Sequence, residues 1–222
     1  MTQRTNARVA GFAFLFYIAV GVTQVVLSSA THAEGTVARL ARIAEYASRV
    51  RVNIVLSLVI CVTAIVLATA LYGLTREVDG GLAVLGFGLR LGEGLLAALS
   101  PLPALGLLWL ATERAEPTAT SSALAELLLN LQGWNVNITA TLFALGSTVF
   151  SWLLLRGRMI PVGLASLGVG ASLLLVVGLP LQLVEVLGGP AAQLMWLPMA
   201  LFEIPLGFWL LIKGVRHAAA RA

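Results

Sequence analysis

The sequence predicts an all-α fold, one integral membrane domain over residues 1–222 built as a bundle of six transmembrane helices, and three observations predict it. Of the 222 residues, 59% are hydrophobic and only 11% are charged, against roughly 25% charge in a soluble domain. Mean hydropathy is +0.96. Several apolar runs are each about twenty residues long, enough to cross the roughly 30 Å hydrocarbon core of a bilayer. A formal charge of +4 with a pI near 10.0 would suggest nucleic acid in a soluble chain. Here the cations flank the apolar runs, which is membrane topology, and no nucleic-acid partner is expected.

The first span covers residues 9–30 and follows Arg4 and Arg8. A signal peptide shares that charge order, but its apolar core is about 7–15 residues. This run is longer, so a retained helix is expected. Residues 35–50, GTVARLARIAEYASRV, differ from the spans: Val37, Leu40, Ala44 and Ala47 recur at three-to-four spacing, with Arg39, Arg42, Glu45 and Arg49 mostly elsewhere. Glu45 and Arg49 have the i,i+4 spacing of a helix-stabilising pair. Two readings stay open, a short amphipathic interfacial helix and a solvated helical connector.

The second span covers residues 52–74 and ends in a polar turn closed by Gly80-Gly81, a helix stop followed by a restart. The third covers residues 82–111 and contains Pro101 and Pro103. Proline removes a backbone donor and clashes with the preceding turn, so a kink or break is expected near Ser100. Residues 112–122, TERAEPTATSS, read as an exposed loop. The fourth span covers 124–155, with an unusually polar first half. The fifth covers 160–187, and the sixth 191–212, followed by Lys213-Gly214 and a basic tail. The third and sixth spans both carry prolines and a late tryptophan, Trp109 and Trp209, but at unmatched spacing, so no internal repeat is read. Small residues in the fifth span, with Gly88 and Gly92 in the third, suit close helix packing.

Six spans put both termini on one side. That side carries Arg4, Arg8, Arg76, Arg156, Arg158, Lys213, Arg216 and Arg221, against Arg39, Arg42, Arg49, Arg51 and Arg114 on the other. Eight cations against five favour cytoplasmic termini in a multi-pass protein of the cell inner membrane. The single cysteine, Cys61, excludes a disulfide framework. His32 and His217 share no ligand spacing with cysteines or carboxylates, so neither metal nor other cofactor is expected. No catalytic motif is present, neither Gly-x-Ser-x-Gly nor His-Glu-x-x-His nor a phosphate-cradling glycine loop beside a lysine.

The informative residues are the polar ones inside spans. An ionisable group at mid-bilayer costs about 2.5–3.5 kcal/mol on insertion scales and is normally paired or turned to a cavity. At about 1.5 Å per residue, Arg90 lies roughly 12 Å from one face, Glu93 roughly 16 Å, and Glu203 on the sixth span roughly 15 Å from that same face. Arg90 and Glu93 are i,i+3 neighbours, so both are expected to meet Glu203, leaving one carboxylate in surplus. Asn130, Trp134, Asn137 and Thr141 recur at spacings of four, three and four, a stripe expected to face the bundle interior. Together these seven residues are the candidate ligand pocket, with Gln24, Asn53, Gln182 and Glu185 as further candidates.

A set of short stretches extends along the chain in a familiar order: Arg8-Val9-Ala10-Gly11, Leu71-Tyr72-Gly73-Leu74, Arg90-Leu91-Gly92-Glu93, residues 142–146, residues 156–161, then Glu203 with the run from Trp209 to Val215. In that order they resemble a bacterial membrane family catalogued as domain of unknown function 4386. The resemblance covers nearly the whole chain. It implies a multi-span fold and no established activity, and places Arg90, Glu93, Glu203 and Lys213 at recurrent polar positions. Two functions compete: binding or transport of a small polar, anionic or amphipathic ligand in a pocket around Arg90, and an accessory role in which the Arg/Glu cluster only fixes helix packing. The lipid bilayer is the expected partner, with a small-molecule ligand under the first reading.

Overall fold

A computed structural model of the chain describes residues 2–113 and 118–216. Among the described residues the order is α1 (Gln3–Ser29), α2 (Thr36–Glu45), α3 (Ala47–Thr75), α4 (Gly80–Leu99), α5 (Pro101–Glu113), α6 (Ala119–Arg156), α7 (Val162–Leu183), α8 (Gly189–Leu194) and α9 (Leu197–Ile212). Six stretches are long and apolar enough to cross a membrane: α1, α3, α4 with α5, α6, α7, and α8 with α9. Most of the loop expected at residues 112–122 is helix or lies outside the described residues.

Three helix starts, those of α1, α4 and α6, carry a side-chain cap, which satisfies a backbone N–H group left over in the first turn. The Thr2 hydroxyl accepts from Thr5 N at 3.2 Å, Asp79 Oδ1 from Leu82 N at 3.1 Å, and the Thr118 hydroxyl from Ser121 N at 3.2 Å. The third span breaks where its prolines predict. α4 stops at Leu99, the Ser100 hydroxyl donates to Ala97 O at 2.8 Å, and α5 starts at Pro101. The sixth span breaks the same way at Met195 and Trp196, just ahead of Pro198 in the first turn of α9.

The spans form a closed ring. Each packs on its neighbour in sequence, α1 on α3, α3 on α4, α4 on α6, α6 on α7 and α7 on α9, and α9 returns to α1. The closing contact depends on two glycines. A Cβ on Gly11 would stand 2.6 Å from Gly207 O and 2.7 Å from Leu211 N, and one on Gly207 would stand 2.8 Å from the Leu15 side chain. Small residues let helices in a membrane approach this closely. Large apolar side chains such as Phe12, Val25, Val62 and Val177 are exposed on the outside, the face that lipid would cover.

Both described ends lie on one face, here the terminal face. Gln3 Nε2 donates to Glu77 Oε2 at 3.2 Å, Arg156 pairs with Asp79 at 3.0 Å, and Arg216 N donates to Met159 O at 2.9 Å. On the opposite, distal face, α2 lays Leu40 and Ile43 on Leu107, Leu108 and Leu110 of α5 and Ala125 of α6. Its apolar face is therefore turned from the expected one, and Val37 is exposed. The expected Glu45–Arg49 pair is absent as well. The helix breaks at Tyr46, so i,i+4 geometry is lost; Glu45 pairs with Arg42 at 3.1 Å, and Arg49 lies over the Tyr46 ring at 4.9 Å.

Candidate functional site

The inward face of α4 carries Ala83, Gly86, Arg90, Glu93, Gly94 and Ala97 at helical spacing. Two of those six are charged, yet Arg90 is 1% exposed and Glu93 0%. Arg90 Nη1 stands 2.9 Å from Glu93 Oε2. The Tyr17 hydroxyl of α1 donates to Glu93 Oε1 at 2.7 Å. The guanidinium carbon lies 4.8 Å from the Phe143 ring centroid and 5.9 Å from that of Tyr17, so two aromatic faces flank the cation. Gly146 of α6 makes this possible, since a Cβ there would stand 2.8 Å from Arg90 Cγ and 2.9 Å from Cδ. None of the guanidinium nitrogens makes a well-aligned hydrogen bond among the described residues. The contact with Glu93 is a charge pair rather than a bidentate fork.

Glu203 shares the buried face of α9 with Met199, Phe202, Leu206, Gly207 and Leu210. It sits within electrostatic range of Arg90 and Glu93 but forms no close ion pair among the described residues, and its Oε1 has no hydrogen-bond partner there. Arg90 thus meets its neighbour on the same helix and not, as expected, both carboxylates. This centre is packed: Arg90, Glu93 and Glu203 do not line the cavity that the ring encloses.

That cavity lies beside it, toward the distal face, with a volume of about 470 Å³. All six spans contribute, through Leu27 of α1, Asn53 of α3, Ala104 of α5, Gln132 of α6, Gln182 of α7 and Trp196 at the α8–α9 break, with Arg39 of α2 at the rim. Trp196 packs on Phe143 at 6.2 Å between ring centroids. An aromatic pair therefore stands between the cavity and Arg90. Arg39 Nε, Asn53 Oδ1 and Gln182 Oε1 are buried and have no hydrogen-bond partner among the described residues.

The stripe expected on the fourth span needs correction. Asn130 and Trp134 are exposed, Asn137 and Thr141 half-buried, and of the four only Asn137 lines the cavity. The inward face runs instead through Leu129, Gln132, Val136 and Ala140 to Phe143. It is offset by about one residue, roughly 100° around a helix of about 3.6 residues per turn. Thr141 bonds its own helix, donating to Asn137 O at 2.8 Å. Of the further candidates, Asn53 and Gln182 line the cavity, while Gln24 braces it, donating to Asn53 O at 3.2 Å and Ser57 Oγ at 2.9 Å. Glu185 is exposed, in a left-handed turn with φ 60°.

Sequence reasoning missed Tyr17, Phe143, Gln132, Arg39 and Arg49. Tyr17 offered a signal, because a tyrosine hydroxyl in a span needs a partner when buried. Phe143 offered none beyond its hydrophobicity. Among the described residues no cluster of His, Cys, Asp and Glu could hold a metal ion.

Fold and centre together define the class: a multi-pass helical membrane protein, a ring of six spans closed around a buried Arg–Glu pair. The family is shown by the sequence itself. A family model described as domain of unknown function (DUF4386) matches residues 9–214, and the chain belongs to that family. Neither a curated protein nor a solved structure matches it. A fold without a characterised site assigns no activity, so the functional argument rests on the residues above.

Proposed function

We propose that this chain binds a small amphipathic molecule in the distal cavity, as the recognition step of a binding or transport function. One observation carries the reading: Arg39, Asn53 and Gln182, polar residues of three different helices, line the same cavity, and each carries a buried polar atom without a hydrogen-bond partner among the described residues. Each such atom costs about 1–3 kcal/mol if left unmet. A cavity walled by polar side chains of three helices suits a ligand with a polar head. The volume also lies within the roughly 300–1,000 Å³ typical of small-molecule pockets. The terminal face, with Arg4, Arg8, Arg76, Arg156, Arg158, Lys213 and Arg216, is read as cytoplasmic by the positive-inside rule, in an inner membrane.

The burial of Arg90 against Glu93, away from the cavity lining, favours the competing reading at that one site, where the charges hold the ring together. The two readings separate by experiment. The full chain, with Trp109, Trp134, Trp152 and Trp209 replaced by phenylalanine, keeps Trp196 as its only tryptophan. In lipid nanodiscs it is titrated with undecyl amphiphiles that carry a bromine at the tail end, which quenches a nearby indole. Saturable quenching by at least one head group, lost on Gly133→Phe, supports binding. Gly133 lines the cavity and a Cβ there meets nothing within 4 Å, so a side chain can leave the helix at this position without a clash at its first atom. Quenching that never saturates, or that Gly133→Phe leaves unchanged, overturns the reading and leaves the accessory role.

A further inference from the structure

We propose that the molecule in the distal cavity is an anion: an amphiphile whose phosphate or carboxylate head sits at Arg39 and Arg49 and whose apolar body extends along the ring axis toward Trp196. This rests on the binding reading above and adds the chemistry of the ligand and its direction.

The charge on the walls is of one sign. Arg39 and Arg49 line the cavity, and no Asp or Glu does. The nearby acids are occupied or turned away, since Glu45 pairs with Arg42 at 3.1 Å, and Glu34 and Glu185 are exposed. Neither lining arginine has an ion-pair partner among the described residues, and Arg39 Nε is buried without an acceptor. An arginine that lines a cavity without a carboxylate offers guanidinium donors that a carboxylate or phosphate oxygen satisfies by charge-assisted hydrogen bonds. The amides of Asn53 and Gln182 stand on the same wall. Either end of an amide can face a ligand, so each can donate to an anionic oxygen or accept from a hydroxyl beside it.

The deeper wall has the opposite character. Leu179 and Trp196 line it, and Phe143 packs against Trp196 with its ring tilted by 32°. A head at Arg39 therefore places an alkyl chain against leucine and indole, where burial is worth about 0.8 kcal/mol per methylene. Neutral amphiphiles could use this end only. The arginines at the rim are what discriminate between heads.

The test uses two probes with the same tail, 11-bromoundecyl phosphate and 11-bromo-1-undecanol, on the single-Trp196 chain in nanodiscs of zwitterionic lipid. The phosphate is expected to quench Trp196 saturably and to bind about tenfold or more tightly than the alcohol. Arg39→Gln and, separately, Arg49→Gln are expected to remove that advantage, with circular dichroism unchanged from the parent reporting that the variants are folded. Added salt should weaken the phosphate alone. Equal affinities for the two heads, or a phosphate preference that survives both substitutions, would overturn the anionic assignment while the cavity remains a binding site. If neither probe saturates, the assignment falls together with the binding reading on which it rests.

Discussion

Replacing Arg90 with leucine is the most direct test of what holds the ring together. The substitution leaves Glu93, 0% exposed, with the Tyr17 hydroxyl as its one close polar partner among the described residues, at 2.7 Å. Removing one member of a buried ion pair typically costs about 3–5 kcal/mol, because the other charge stays buried and unpaired. The flanking Phe143 ring, 4.8 Å from the guanidinium, adds a contact worth up to about 2 kcal/mol when desolvated. Arg90→Leu should therefore lose about 3–5 kcal/mol, read by reversible unfolding with sodium dodecyl sulfate in mixed micelles. Neutralising the stranded partner should reverse most of this. Arg90→Leu with Glu93→Gln is expected within about 1–2 kcal/mol of the parent, since a buried pair replaced by neutral groups is often nearly neutral. Arg90→Leu with Glu203→Gln should recover little, because Glu203 has no close contact with the guanidinium. If the Glu203 variant rescues as well as the Glu93 variant, the pairing argued here is wrong.

Other expectations follow from the same geometry. Tyr17→Phe removes a hydrogen bond to a charged group and should cost about 1.5–3 kcal/mol alone but much less beside Arg90→Leu with Glu93→Gln, measured as a double-mutant cycle. Gly146→Ala drives a methyl to 2.8 Å from Arg90 Cγ and should cost about 1–3 kcal/mol in the same unfolding assay; no change would show that the arginine is loosely held. Gly11→Ala meets backbone atoms at 2.6 and 2.7 Å, whereas Gly21→Ala meets nothing within 4 Å, so only the first should destabilise and loosen the α1–α9 contact in crosslinking. At the terminal face, Asp79 accepts from Leu82 N and pairs with Arg156, and these contacts hold its carboxyl below the ordinary aspartate range. A folded value below the unfolded one means that its contribution is present above about pH 4 and is lost as pH falls through the lowered value. Stability against pH should show that acid limb in the parent chain and a flatter one in Asp79→Ala.

The spans were legible because each carries its own signal. Length and apolarity mark them, proline marks the break at Ser100, and the polar turn closed by Gly80-Gly81 marks a stop before the third span. Arg90, Glu93 and Glu203 were legible as a layer because helical rise converts residue number into depth. Direction around a helix was harder to read. On α6 the polar residues Asn130 and Trp134 suggested an inward stripe, yet a tryptophan in a span is also at home facing lipid. The choice between two faces a residue apart is made by neighbouring helices that a single sequence does not position. The break at Tyr46 was missed for a related reason: Glu45 and Arg49 are ideally spaced only if one helix continues through them. Partners distant in the chain, such as Tyr17 for Glu93 and Phe143 for Arg90, are products of the ring closing and carry no local signature.

The two broken spans are also the two that carry the buried charges, and the spacing explains how one ring holds both a dry centre and a cavity. Glu93 lies seven residues before Ser100, and Glu203 lies seven residues after Trp196. At about 1.5 Å per residue, each carboxylate sits roughly 10 Å from its break, on the terminal side. Below the breaks the helices are continuous and approach closely, as at Gly11–Gly207 and Gly146–Arg90, so charges there must find one another. At the breaks, α4 gives way to α5 at Pro101 and α8 to α9 just ahead of Pro198, and Ser100, Pro101 and Trp196 line the cavity. Arg39, Asn53 and Gln182 line that space, whereas Arg90, Glu93 and Glu203 do not. The charged layer lies on the terminal side of it, with the Phe143–Trp196 pair between the two.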